Sequence, residues 1–157
     1  METSTTSPIY LSKKGMQELR KQIKRLEHDL SGAQNDLRDI ENSKGHDERL
    51  ERVEKLAMID SIMTELSEKR LTLARAKQLP RRRDTFKVMI GSVVELIDAQ
   101  GRKFHYMLVD SLEADPSAGR ISIKSPLGQK LLDKQIQDIV QWTAGIGTNQ
   151  LRLVGIA

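Results

Sequence analysis

The sequence predicts an α+β chain, with an N-terminal antiparallel α-helical coiled-coil hairpin and a C-terminal, mostly antiparallel sheet domain carrying one helix. Three observations predict it. From Ser12 to Glu41 the apolar positions Met16, Leu19, Ile23, Leu26, Leu30, Ala33, Leu37 and Ile40 alternate in steps of three and four. That is the seam of a coiled coil, whose 3.5-residue repeat keeps one narrow stripe facing a partner helix. A second helical stretch follows within a few residues, so the partner is close at hand. Beyond Pro80 the helical period gives way to Val- and Ile-rich alternating segments broken by turn residues.

Taken in order, Met1 to Pro8 is short, polar and without an apolar run, so it reads as a disordered lead-in (1–9) and not as a secretory signal. Helix one begins at Ser12, a good N-cap, and ends near Asn42. Ser43-Lys44-Gly45-His46 is a tight reversal with Gly45 as left-handed stop. Helix two runs from about Asp47 to Gln78. Its expected stripe is Leu50, Val53, Leu56, Ile59, Met63, Leu66, Leu73 and Ala76, with a stutter near Ala57 and with Arg70 where a hydrophobe is expected. Two such helices joined by a short turn form a hairpin spanning 10–79, and thirty residues give an arm of roughly 45 Å. Residues 80–86, with Arg81-Arg82-Arg83, form a linker.

The sheet domain is expected over 87–157. Lys87 to Asp98 and Lys103 to Asp110 are strands joined by a hairpin turn at Ala99-Gln100-Gly101-Arg102. Arg120 to Lys124 is a short strand. Ser125-Pro126 opens a short helix through Leu131 and Leu132, with Ser as cap and Pro at the first helical position. Asp138 to Thr143 and Gln150 to Ile156 close the sheet.

Composition narrows the function classes. The 157 residues are 38% hydrophobic and 31% charged, with one Trp, two Tyr and two Phe. A modest apolar share suits a chain that is partly a thin arm. The net charge of +4 and pI near 9.4 are compatible with nucleic acid or an acidic protein as partner. With no Cys, disulfides and thiolate metal sites are excluded, which fits a cytoplasmic setting. No run reaches the roughly 20 apolar residues of a membrane span. No nucleophile elbow, phosphate loop or zinc spacing is present, so a self-contained active site is not expected.

Several motifs resemble those of the bacterial Gre transcript cleavage factors, GreA and GreB. They are Tyr10-Leu11-Ser12-Lys13-Lys14-Gly15 with Leu19 and Ile23, Glu113-Ala114-Asp115, Gly119-Arg120-Ile121-Ser122, and Ser125-Pro126-Leu127-Gly128 with Leu131, Leu132 and Lys134. The resemblance implies an FKBP-like C-terminal domain that docks on RNA polymerase through a loop here spanning Lys124, Ser125, Pro126 and Leu127. It also implies a coiled coil that enters the polymerase secondary channel and brings its tip to the active site and the nascent RNA 3′ end. In cleaving members two tip acids help hold a Mg²⁺ ion shared with the polymerase, and the polymerase cuts the RNA. Such a factor has no intrinsic cofactor and is not itself an enzyme.

The tip departs from the family pattern. Cleaving members carry Gly-Asp at the apex and then Glu-Asn two residues on. Here the tip reads Lys44, Gly45, His46, Asp47, Glu48, with Arg49 and Glu51 following. Neither register restores both acids, and Lys44, His46 and Arg49 would repel a metal. The resemblance therefore implies an elongation modulator, non-cleaving or inhibitory. The alternative is a cleavage factor that uses a shifted pair, Asp47 with Glu48 or Glu51, to hold Mg²⁺. Acids in a first helical turn also arise from the helix dipole alone. Two other classes are a prolyl isomerase, against which Phe86, Phe104, Tyr106 and Trp142 are dispersed in sequence, and a coiled-coil nucleic-acid binder using Lys14, Lys21, Lys24 and Arg25.

Overall fold

The computed structural model describes residues 7–43, 48–80, 85–144 and 147–157. These divide into two compact units, Lys14–Ala76 with Ser7, and Pro8–Lys13 with Lys77–Ala157. Residues 10–13 and 77–79 of the expected 10–79 hairpin thus belong to the C-terminal unit. Lys44, Gly45 and His46 of the expected turn, Asp47 at the expected start of helix two, the run Arg81–Arg83 and the first six residues of the expected tail lie outside the described residues.

In the first unit, helix α1 spans Lys13–Asn42 and helix α2 spans Glu48–Arg75. Every expected seam position of α1 faces inward, with Leu19, Ile23 and Ala33 buried. Cross-helix pairs show that the helices run antiparallel: Glu41 with Arg52 at 3.1 Å, Asp36 with Lys55 at 3.0 Å, and Glu27 with Arg70 at 2.7 Å.

The stripe expected on α2 needs correction. Leu50, Val53, Leu56 and Met63 are 68, 62, 45 and 52% exposed. The positions that turn inward are Lys55, Ile59, Ile62, Leu66, Lys69, Leu73 and Ala76, which again step by four and three. Two lysines therefore occupy the seam. Their aliphatic stems cover the apolar strip while the ammonium groups reach Asp36 and Gln22, the latter at 3.1 Å. Arg70, read as a displaced seam residue, lies outside the seam and pairs with Glu27. The helix also stops earlier than expected. Ala76–Gln78 forms strand β2, paired with strand β1 at Ile9–Leu11, and Leu79 N–H donates to the Leu11 carbonyl at 3.0 Å. Leu11 is almost fully buried.

The C-terminal unit is built on five strands: β3 (Val93–Ile97), β4 (Lys103–Val109), β5 (Arg120–Ser122), β6 (Ile139–Ala144) and β7 (Gly147–Ile156). Their order is β5-β4-β3-β7-β6, antiparallel except for the parallel pair β4–β5. The β3–β4 turn is fixed by Asp98, whose Oδ1 accepts from the backbone N–H of Gln100 at 3.0 Å and of Arg102 at 2.8 Å. Gly101 supplies the left-handed residue, φ 82°. β7 starts three residues earlier than the sequence pattern suggests, because its outer half, Gly147–Gln150, is exposed and polar and leaves no alternation to read.

Alternation along the strands aims Val94, Leu96, Leu108, Val140, Leu151 and Leu153 at one face. The short helix α3 (Pro126–Leu131) closes part of that face with Leu131. Val88 is locked beneath by a pair of backbone bonds, Val88 N–H to the Lys134 carbonyl and Asp133 N–H to the Val88 carbonyl, both 2.9 Å.

Candidate functional site: a hairpin tip and a capped loop

Two stretches carry the expected function, the Lys124–Leu127 loop and the hairpin tip. The Lys124–Leu127 loop is tightly held. Ser125 adopts the extended N-cap conformation, its Oγ accepts from Gly128 N–H at 3.0 Å and donates to the Ser122 carbonyl at 2.6 Å. The hydroxyl of Ser122 accepts from Lys124 N–H at 3.0 Å and lies 2.7 Å from Ser111 Oγ. Pro126 takes the first helical position, where its missing N–H costs nothing. Gly128 packs directly on the Ser122 backbone: a Cβ there would sit 2.0 Å from the Ser122 carbonyl oxygen. The motif Ser-Pro-Leu-Gly thus has a physical reading, with a cap, a rigid start, an apolar anchor and a residue with no side chain. The result presents Lys124 and Pro126 to solvent and turns Leu127 toward the core.

Beside this loop, Leu112 is 62% exposed on a 3-10 turn, Ser111–Glu113, that packs against β5. Nothing in the sequence singles out Leu112, since an apolar residue in a short turn carries no periodic signal. The neighbouring acids have structural jobs. The Glu113 carboxylate accepts from Ser12 N–H at 2.9 Å and from the Ser12 hydroxyl. The side-chain bond from Ser117 holds the Asp115 carboxyl below its ordinary value against desolvation, helped by Ala118 N–H and Arg120.

At the hairpin tip, Lys44, Gly45, His46 and Asp47 lie outside the described residues. The flanking acids are described. Glu48 opens α2 and its Oε1 accepts from Ser43 Oγ at 2.5 Å, while Glu41 is engaged by Arg52. Glu51, one turn on, is exposed. Among the described residues no group of three or more His, Asp or Glu side chains converges as a metal site.

The C-terminal half, residues 83–157, matches the family model described as transcription elongation factor, GreA/GreB, C-term. Transcription elongation factor GreA of Helicobacter hepaticus is 33% identical over 133 residues, covering 83% of this chain and 76% of that protein. The chain belongs to the GreA/GreB family. GreA of Chlorobium phaeobacteroides is likewise 33% identical, over 140 residues, 85% of this chain and 86% of that protein. Among solved structures, Gfh1 of Thermus aquaticus is similar at 28% identity, covering 96% of this chain and 99% of that one with a TM-score of 0.43. As a GreA/GreB factor the chain combines a two-helix hairpin with a sheet domain, and no helix among its described residues is long and apolar enough to cross a membrane.

Proposed function

We propose that this chain is a transcription elongation modulator that binds RNA polymerase, docks through Lys124, Ser125, Pro126 and Leu127, and inserts its hairpin tip into the secondary channel without stimulating RNA cleavage. The observation that carries the reading is the state of the tip acids. Glu41 is held by Arg52 and Glu48 by Ser43, and the sequence adds Lys44, His46 and Arg49 close by. A carboxylate already engaged by a cation or hydroxyl, among further cations, is a poor ligand for a divalent ion. What this chain's residues do is therefore positional: the loop binds, and the tip occupies space near the catalytic centre and the RNA 3′ end. Any cleavage belongs to the polymerase.

The loop's rigidity supports a docking role. Lys124 supplies an exposed cation and Pro126 an exposed apolar ring, both fixed by the Ser122–Ser125 network, so little order is lost on binding. The test uses backtracked elongation complexes made with purified polymerase. Adding the protein should slow extension and leave RNA length unchanged, and Pro126→Asp should abolish binding. Robust shortening of the RNA, lost on Asp47→Ala or Glu48→Ala, would instead establish a cleavage factor with a shifted acidic pair.

A further inference from the structure

The five-stranded sheet ends in two unlike edges. At one side β5 has three residues, opens on Arg120 and is followed within four residues by Pro126. Short length, charge and proline each discourage another strand from pairing there. At the other side β6 has six residues, Ile139-Val140-Gln141-Trp142-Thr143-Ala144, with no charge and no proline. Its β-branched and aromatic residues favour a strand. It has β7 on one side and, among the described residues, no strand on the other.

The phase of the β6–β7 ladder fixes which backbone groups are left over. Leu153 N–H donates to the Asp138 carbonyl at 2.9 Å, and Ile139 stands opposite Arg152. Bonded and non-bonded pairs alternate in an antiparallel ladder. Asp138, Val140 and Trp142 therefore spend their backbone groups on β7, and Ile139, Gln141 and Thr143 each turn an N–H and a C=O to the open edge. Beside that edge lies a groove of about 380 Å³ lined by Lys130, Lys134, Ile139, Val140, Gln141 and Gln150. Lys130 is in the last turn of α3, and Lys134 follows the helix. Among the described residues neither ammonium group has a partner, Asp133 between them in sequence included. The Asp138 carboxylate is taken by Gln135 N–H at 2.8 Å. Ile139, 50% exposed, adds apolar ground.

We propose that β6 accepts an added strand, an extended acidic segment of a partner protein, paired through its backbone and held by Lys130 and Lys134. In strand addition the main-chain bonds supply affinity and the alternate side chains supply specificity. Acids two residues apart fall on one face of the added strand, about 7 Å from each other, where two cations can meet them. A second copy of the chain fits poorly. Antiparallel pairing of two β6 strands about Gln141 would carry the lysines of both copies to the same face, with like charges opposed. The interaction uses neither Lys124 nor Pro126 and is independent of the polymerase docking proposed above.

Trp142 is the only Trp in the chain and belongs to β6, so its emission reports on the edge. Full-length protein is titrated with a capped octapeptide alternating valine and glutamate. It should give a saturable change, with at least tenfold weaker binding when lysines replace the glutamates. Two further peptides are N-methylated, one at the valines and one at the glutamates. Only one of these sets of N–H groups can face β6, so one peptide should bind at least tenfold more weakly than the other. Gln141→Pro removes an N–H that no bond of the fold uses, and it should weaken binding at least tenfold. Lys130→Glu with Lys134→Glu should invert the preference between the glutamate and lysine peptides. Both variants are checked for folding by circular dichroism, and the methylated peptides carry the backbone test on unaltered protein. The proposal is overturned by no saturable change at millimolar peptide, by equal binding of the two methylated peptides, or by a glutamate preference that survives the lysine reversal. A dimer in sedimentation that Gln141→Pro abolishes would overturn it by assigning the edge to a second copy. An emission change given by a single-stranded oligonucleotide and not by the peptide would overturn it by assigning the lysines to phosphate.

Discussion

The two units hold themselves together in different ways. The hairpin buries a strip one residue wide: Leu19, Ile23 and Ala33 on α1 against Ile59 and Leu66 on α2. Much of its register rests on charged pairs across the seam. The sheet unit encloses a contiguous cluster in which Val88, Val94, Leu96, Leu108, Leu131 and Leu153 have no exposure at all. A thin arm tolerates volume changes and depends on which partners line up. A closed core tolerates little change in volume, and its register follows from packing. The Lys124–Leu127 loop belongs with the closed core, held by hydrogen bonds to Ser122 and by Leu127 packed against the cluster.

The sharpest way to break this comparison is one substitution made twice. Gly128→Ala drives a methyl into the Ser122 carbonyl, and backbone cannot swing aside as a flexible side chain can. It should cost about 3 kcal/mol or more of sheet-unit stability and disorder the Lys124–Leu127 loop. Gly32→Ala lies within α1 with nothing within 4 Å of the added carbon. It should raise hairpin stability by about 0.5–1 kcal/mol through helix propensity. Denaturant melts of both variants decide the matter, and equal signs would erase the distinction.

A smaller contrast lies in two leucines. Leu96→Ala, in the closed core, should cost about 3–5 kcal/mol, while Leu66→Ala, between two helices that can close over the gap, should cost about 2–3 kcal/mol. Next come the seam lysines. Lys55→Leu with Lys69→Leu should stabilise the hairpin by about 1 kcal/mol, since apolar residues replace ions at half-buried positions. The same change removes the pairs that define register, so sedimentation should reveal additional oligomers. A double variant that remains monomeric would show that the apolar strip sets the register by itself.

The smallest effect concerns pH. Desolvation raises the Asp98 carboxyl, but the bonds from Arg102 and from Gln100 N–H outweigh it and hold the group below its ordinary value. A carboxylate depressed in the folded state adds stability above its unfolded pKa and loses it as pH falls through the folded one. Asp98→Asn should therefore flatten the acid limb of the sheet unit's stability below about pH 4 and leave the hairpin's unchanged. A flattening in both units would place the acid sensitivity elsewhere.

Much of the fold was legible in the residues. The three-four alternation of α1 needed no tertiary information, because eight consecutive seam positions kept their phase. Ser125-Pro126 announced α3 by the chemistry of its cap, and Gln100-Gly101 announced the β3–β4 turn. What escaped had a physical reason in each case. The seam of α2 was hidden because Lys55 and Lys69 sit in it while Leu50, Val53 and Leu56 do not. Strands β1 and β2 are three residues each, too short for a period, and come from chain segments far apart in sequence. Leu112 and the open edge of β6 gave no signal because neither is a pattern along the chain.

The sequence by itself determined the two-part architecture, the family motifs and the unusual tip, since local period, capping chemistry and residue identity are properties of neighbours along the chain. Only the tertiary structure decided which face of α2 turns inward, that Glu41 and Glu48 are already engaged, and that β6 forms an open edge beside Lys130 and Lys134. Each of those depends on groups that approach from distant parts of the chain, and contact between them is settled by packing and by the curl of the sheet.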